Sequence, residues 1–179
     1  MKSVGKRSGL ARAIGLGLGV AVLAVGAVVG VLGGLGPSGE SGQASAATNA
    51  LPPGNLIKGA GSGRCIDVTG KSSADGTQLQ IWDCTGGSWQ FWDFQADGTL
   101  RSQGLCMDVA WGSRSNGAAV QLANCNSGAA QKFTLTAAGD LVNKQSGKCV
   151  DVIDKKTVNG AKLQQWDCGG TTNQKWARA

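Results

Sequence analysis

The chain contains no histidine, and its only glutamate, Glu40, lies within the first 46 of its 179 residues. Zinc centres draw on histidine, or on cysteines at short Cys-x-x-Cys spacings. Neither occurs here, which argues against metal as the role of the six cysteines. Glycosidases usually flank the scissile bond with two carboxylates, one of them a proton donor. Past residue 46 only aspartates remain for that work. No Gly-x-Ser-x-Gly elbow is present to carry a serine nucleophile. Outside the N-terminal segment, no apolar pattern of helical period runs long enough to define a helix. The formal charge of +6 includes four basic residues near the N-terminus, leaving about +3 from 13 scattered Lys/Arg and 10 Asp. A nucleic-acid partner would call for a concentrated basic face, so none is expected.

What is present falls into two parts. Lys2, Lys6, Arg7 and Arg12 precede an apolar run at 13–35, and "ASA" at 44–46 follows. That order is the signature of a secretory leader with a small-residue cleavage site. The apolar run exceeds the usual ~7–15 residues, so an uncleaved N-terminal membrane anchor is the alternative; with it the protein would be held at the membrane. Either way the remainder is exported. The expected division is a leader at 1–46, a linker at 47–54 and one domain at 55–179.

In an exported domain an even number of cysteines reads as a disulfide framework. Here they fall as Cys65/Cys84, Cys106/Cys125 and Cys149/Cys168, each pair 19 positions apart. Six cysteines allow 15 connectivities, and only the repetition singles one out. Other landmarks repeat with them, at fixed distances from each first cysteine. Asp67, Asp108 and Asp151 stand two residues on; Asp75-Gly76, Asn116-Gly117 and Asn159-Gly160 stand ten on. Gln80, Gln121 and Gln164 stand fifteen on, and Gln90, Gln131 and Gln174 open a Gln-x-aromatic triplet twenty-five on. The three units run over about 55–99, 100–140 and 141–179. Between landmarks the pattern is short and alternating, and Asp-Gly or Asn-Gly suggests hairpins with type I′ turns. About four strands per unit, including "LIK", "CIDV", "QLQIW" and "QFWDF" in the first, make twelve. A unit of this size cannot bury its own core. Since the end units look like the middle one rather than like caps, the three are expected to close around a shared core.

The Gln-x-Trp/Phe triplets, the "C-x-D-V" openings and the "Q-x-W-x-C" segments together resemble the ricin-type β-trefoil lectins, which include family 13 carbohydrate-binding modules. The resemblance covers 55–179. It implies an all-β, twelve-strand β-trefoil with threefold pseudo-symmetry, a disulfide within each repeat, and up to three sugar sites. In a complete site of that family an aspartate accepts hydrogen bonds from two vicinal hydroxyls. An aromatic two residues before the second cysteine stacks on the sugar ring, an Asn and a Gln flank the aspartate, and a second Gln lines the pocket. The third repeat matches throughout, with Asp151, Gln164, Trp166, Asn173 and Gln174. The first has Asp67, Gln80, Trp82 and Gln90, but Trp89 in the Asn position. The middle repeat is degenerate: Asp108, Gln121 and Gln131 remain, while Ala123 and Ala130 replace the aromatic and the Asn.

The chemistry stands without the family. A sugar shows C–H groups on one ring face and hydroxyls on its rim, so an aromatic suits the face and a carboxylate with amides the rim. Trp92, Phe133 and Trp176 fill one position with a large aromatic in every repeat, which is core behaviour. Trp82 and Trp166 occupy a position that tolerates Ala123, so the scaffold does not require them. Trp111 is open to two readings, a stacking surface in place of the one Ala123 lacks or, as the favoured expectation, cover for an apolar patch.

The expected function is a non-catalytic module for polysaccharide or glycan of galactose, xylose or arabinose type, acting as a monomer without cofactor. A second class is a β-trefoil that binds protein, as an inhibitor or accessory subunit.

Overall fold

The computed structural model describes residues 55–179; the expected leader at 1–46 and linker at 47–54 lie outside the described residues. Twelve short strands follow one another with no α-helix among the described residues. The first repeat carries β1 (Ile57–Gly59), β2 (Cys65–Val68), β3 (Thr77–Trp82) and β4 (Asp93–Phe94). The second carries β5 (Leu100–Ser102), β6 (Leu105–Val109), β7 (Val120–Ala123) and β8 (Phe133–Leu135). The third carries β9 (Leu141–Asn143), β10 (Cys149–Val152), β11 (Leu163–Trp166) and β12 (Trp176–Arg178). The "QFWDF" strand is shorter than its pattern suggested, because Ser88–Gln90 forms a 3-10 turn that aims Gln90 inward.

Two closed rings make the β-trefoil. In the first, β1 pairs with β12, β4 with β5 and β8 with β9. Single bridges at Leu56–Phe91, Thr99–Lys132 and Asp140–Lys175 link those pairs into a six-strand barrel. In the second, the hairpins β2–β3, β6–β7 and β10–β11 meet through the β3–β7 pairing and bridges at Ala119–Gln164 and Gln80–Lys162. Alternation in these hairpins sends Ile66, Val68, Leu79 and Ile81 into the core, as it does Met107, Val109, Val120 and Leu122, and Val150, Val152 and Leu163. Trp92, Phe133 and Trp176 complete that core. The two indoles also donate to backbone, Trp92 Nε1 to Ile66 O at 3.2 Å and Trp176 Nε1 to Val150 O at 2.9 Å, so neither buried N–H is left unpaired.

The three disulfides pair Cys65 with Cys84, Cys106 with Cys125 and Cys149 with Cys168. Each ties the start of one hairpin to the residues just past its end.

The hairpin turns depart from the type I′ expectation. Gly76, Gly117 and Gly160 have φ of 83°, 85° and 86°, but Asp75, Asn116 and Asn159 are not in the left-handed region. Their side chains serve the second ring instead. Asp75 Oδ1 accepts from Asn124 N at 2.6 Å, Asn116 Oδ1 from Asp167 N at 3.0 Å, and Asn159 Oδ1 from Asp83 N at 2.8 Å. Each repeat therefore grips the next, and the third grips the first.

Trp176→Ala should cost about 3–5 kcal/mol, measured as a fall in urea midpoint with disulfides intact. A loss below about 1 kcal/mol would mean that this aromatic is not part of the core.

Candidate functional site

The hairpin register explains the spacing of the polar landmarks. Asp67 lies opposite Gln80, Asp108 opposite Gln121 and Asp151 opposite Gln164. These residues point away from the core on the face that also carries Trp82, Ala123 and Trp166, because side chains two apart on a strand share a face.

In the third repeat the carboxylate of Asp151 is held by three amides. Gln164 Nε2 donates to Oδ1 at 2.9 Å, while Asn173 Nδ2 and Gln174 Nε2 donate to Oδ2 at 2.6 and 3.0 Å. Gln174 is itself fixed, donating to Asp167 O and accepting from Gly169 N. Asn173 is fixed by Thr171 Oγ1, which donates to its Oδ1 at 2.6 Å. Trp166, on the same side of the hairpin, is 43% exposed. The concavity so formed has a volume of about 570 Å³ and is lined by Asp151, Gln164, Trp166 and Gln174 together with Asp154 and Lys155.

The first repeat builds the same arrangement with one donor fewer. Gln80 Nε2 and Gln90 Nε2 donate to the two oxygens of Asp67 at 2.9 and 3.2 Å. Trp82 is 40% exposed over a concavity of about 520 Å³. Trp89, in the Asn position, is half-buried and packs on the core rather than reaching Asp67.

Lys162 is the residue that sequence reading missed. It comes from the third repeat, yet its Nζ donates to Gln80 Oε1 at 3.1 Å and Thr69 Oγ1 at 2.6 Å, both lining the first concavity. Burial pulls its pKa below the ordinary lysine value against the attraction of Asp67. The equivalent residue beside the third-repeat site is Ala119, bridged to Gln164. No comparison within one repeat could signal this, since each such residue serves its neighbour's site.

In the middle repeat Gln121 Nε2 donates to Asp108 Oδ2 at 2.9 Å, and Gln131 turns its Nε2 to Asn124 O. Ala123 and Ala130 are buried. Trp111 covers no apolar patch: it is fully exposed, which corrects the favoured expectation. Burial pushes the Asp108 carboxyl above the ordinary range, opposed by Gln121 and, more weakly, Gln131. A raised folded-state pKa means the ionised form destabilises the fold. That penalty is complete above the raised value and absent below the unfolded one near 3.8. Asp108→Asn should therefore unfold at higher urea than the parent at pH 7, with the difference fading as pH falls below about 4. An equal or lower midpoint at pH 7 would count against a burial penalty at this carboxylate.

The ricin-type β-trefoil lectin domain profile matches residues 54–176. Serine protease 1 of Rarobacter faecitabidus is 54% identical over 114 residues, 64% of this chain but 22% of that protein. The chain thus spans about a fifth of the length of that curated relative. Among solved structures, the designed threefold-symmetric protein ThreeFoil superposes with a TM-score of 0.64 at 30% identity, over 69% of this chain and 95% of the design. A non-toxic homologue of type II ribosome-inactivating proteins from Momordica charantia, solved with α-methyl-D-galactoside, superposes with a TM-score of 0.61 at 25% identity, over 70% of this chain and 46% of that one. With three repeats, twelve strands and three intra-repeat disulfides among its described residues, the chain belongs to the ricin-type β-trefoil lectin family.

Proposed function

We propose that this protein is a secreted, non-catalytic module that binds polysaccharide or glycan through the first and third repeats. The observation that carries the reading is Asp151, its two carboxylate oxygens oriented by Gln164, Asn173 and Gln174 in a concavity that a half-exposed Trp166 also lines. Three fixed amides leave that carboxylate poised as a charged acceptor for neighbouring hydroxyls, and charged acceptors make the stronger bonds. The exposed indole of Trp166 suits the C–H side of a sugar ring. A ligand whose hydroxyls leave the carboxylate unpaired is rejected, which is the source of selectivity.

Galactose-type sugars are the favoured ligands, since the Momordica homologue was solved with a methyl galactoside; xylose- and arabinose-type polymers are the alternatives. A shallow site with one stacked aromatic binds weakly, on the order of 0.1–1 mM, so two sites on one rigid body favour a repeating polymer through multivalency. Non-catalytic action follows from the distribution of carboxylates: one aspartate stands in each repeat at this position, with no glutamate or histidine beyond residue 46. Secretion is supported by the leader-like N-terminus and by three disulfides that require an oxidising compartment.

Retention on immobilised galactan, xylan and arabinan tests the reading. Trp166→Ala should weaken retention about tenfold, the equivalent of ~1.4 kcal/mol, and Trp82→Ala with Trp166→Ala should abolish it. If the double variant is retained as well as the parent, the sugar sites are not the working surface and a protein partner becomes the better reading. Asn173→Ala should bring the third-repeat site down to the affinity of the first, read by isothermal titration in a Trp82→Ala background. Unchanged affinity there would show that the third amide contributes nothing.

A further inference from the structure

The first-repeat site differs from the third in charge. Around Asp151 the concavity is also lined by Asp154, Asp167 and Lys155. Asp154 pairs with Lys156 and Asp167 with Lys148, which leaves Asp151 and Lys155 to balance each other. Around Asp67 the lining holds Lys71 and no second acid, because Gly70 stands where the third repeat has Asp154. A further cation reaches this site from another repeat. The residue thirteen past each first cysteine lies against a glutamine of the neighbouring repeat. Gln78 meets Gln121, Ala119 meets Gln164 and Lys162 meets Gln80. The first site alone receives a charge in this way.

That charge is poorly compensated. Lys162 is half-buried, and its Nζ donates to Thr69 Oγ1 at 2.6 Å and Gln80 Oε1 at 3.1 Å, two neutral acceptors that line the concavity. One amide separates it from Asp67, since Gln80 Nε2 donates to Asp67 Oδ1 at 2.9 Å. An ammonium has three N–H donors, so one is left over. Neither Lys162 nor Lys71 enters an ion pair among the described residues. Burial lowers the Lys162 pKa more than the attraction of Asp67 raises it, and an anion brought alongside would favour the charged form again. Lys71 is exposed and left-handed, with φ of 54°. A side chain there costs free energy that glycine avoids, and the middle repeat does use Gly112.

We propose that the first-repeat site takes an acidic sugar and the third a neutral one. Asp67 with Gln80 and Gln90 receives hydroxyls, while Lys162 and Lys71 receive an anionic substituent, either a uronic-acid carboxylate or a sulfate ester. The target is then a polysaccharide that carries acidic residues among neutral ones. The inference rests on the carbohydrate-binding reading above and narrows its substrate class.

Indole N–H resonances of Trp82 and Trp166 in the full chain report the two sites separately. The probes are matched: α-methyl-D-galactoside, its 6-carboxylate and its 6-sulfate, and xylotetraose with and without a glucuronic acid branch. At Trp82 an acidic probe should bind about fivefold more tightly than its neutral partner, with the ratio shrinking as salt is raised. At Trp166 the two should bind alike. Whichever of carboxylate and sulfate binds better at Trp82 identifies the anionic group. Lys71→Met should lower the Trp82 ratio, and Lys71→Met with Lys162→Met should abolish the preference. Equal binding of acidic and neutral probes at Trp82 overturns the proposal, as does a preference that the double variant retains. A preference of the same size at Trp166 overturns it too, because the charge difference between the sites would then have no effect. So does silence at Trp82 while Trp166 responds. In each of these cases sugar binding itself still stands. If neither indole responds to any probe, the carbohydrate-binding reading falls and this inference falls with it.

Discussion

The repeats recur at intervals of 41 and 43 residues, each exposes more apolar surface than it can cover by itself, and the domain is organised around that shortage. Each repeat contributes one hairpin and one large aromatic to a common centre, so no repeat is complete until the other two are in place. The two rings that result close on themselves, which removes most of the exposed strand edges that an open stack would carry. Closure is sealed by polar contacts between repeats. Asp75, Asn116 and Asn159 each bind a backbone N–H just past the neighbouring hairpin. Those contacts sit next to the disulfides, so the outer ends of the hairpins are held both covalently and through the adjoining repeat.

The same register that buries one face of each hairpin sets out the other face for chemistry. Asp and Gln come opposite each other in all three repeats because the hairpin pairing is identical, and an aromatic two residues along the strand shares their face. From that common frame the three copies diverge. The third adds Asn173 to complete a three-donor cradle, and the first goes without it and borrows Lys162 from its neighbour. The middle copy gives up both the strand aromatic and the Asn. Divergence of this kind is inexpensive because Trp82, Trp166 and Trp111 are exposed, and changing them does not disturb the shared core.

Much of this was legible in the chain itself. Fixed offsets from each first cysteine identified the repeats and the disulfide pairing, because a hairpin converts a constant spacing into a constant contact; that Asp and the first Gln of each repeat face each other across the hairpin came from the register. Alternation separated core from surface within the strands, and the Ala123 substitution set Trp82 and Trp166 apart from the core aromatics. The turns were read less well. Asp-Gly and Asn-Gly suggested a local type I′ hairpin, whereas only the glycines are left-handed and the Asp and Asn side chains are spent on a neighbouring repeat.

The sequence by itself thus determined the unit, its three copies, and the residues that line up within each copy. Those follow from short-range geometry that one segment carries alone. Only the tertiary structure decided what one repeat does for another. Lys162 reaching Gln80, Gln165 holding the loop behind Trp111, and Trp89 packing half-buried against the core all depend on how closed rings bring distant segments together. The exposure of Trp111 belongs there too, since no spacing along the chain tells whether an indole lies against a neighbour or stands free.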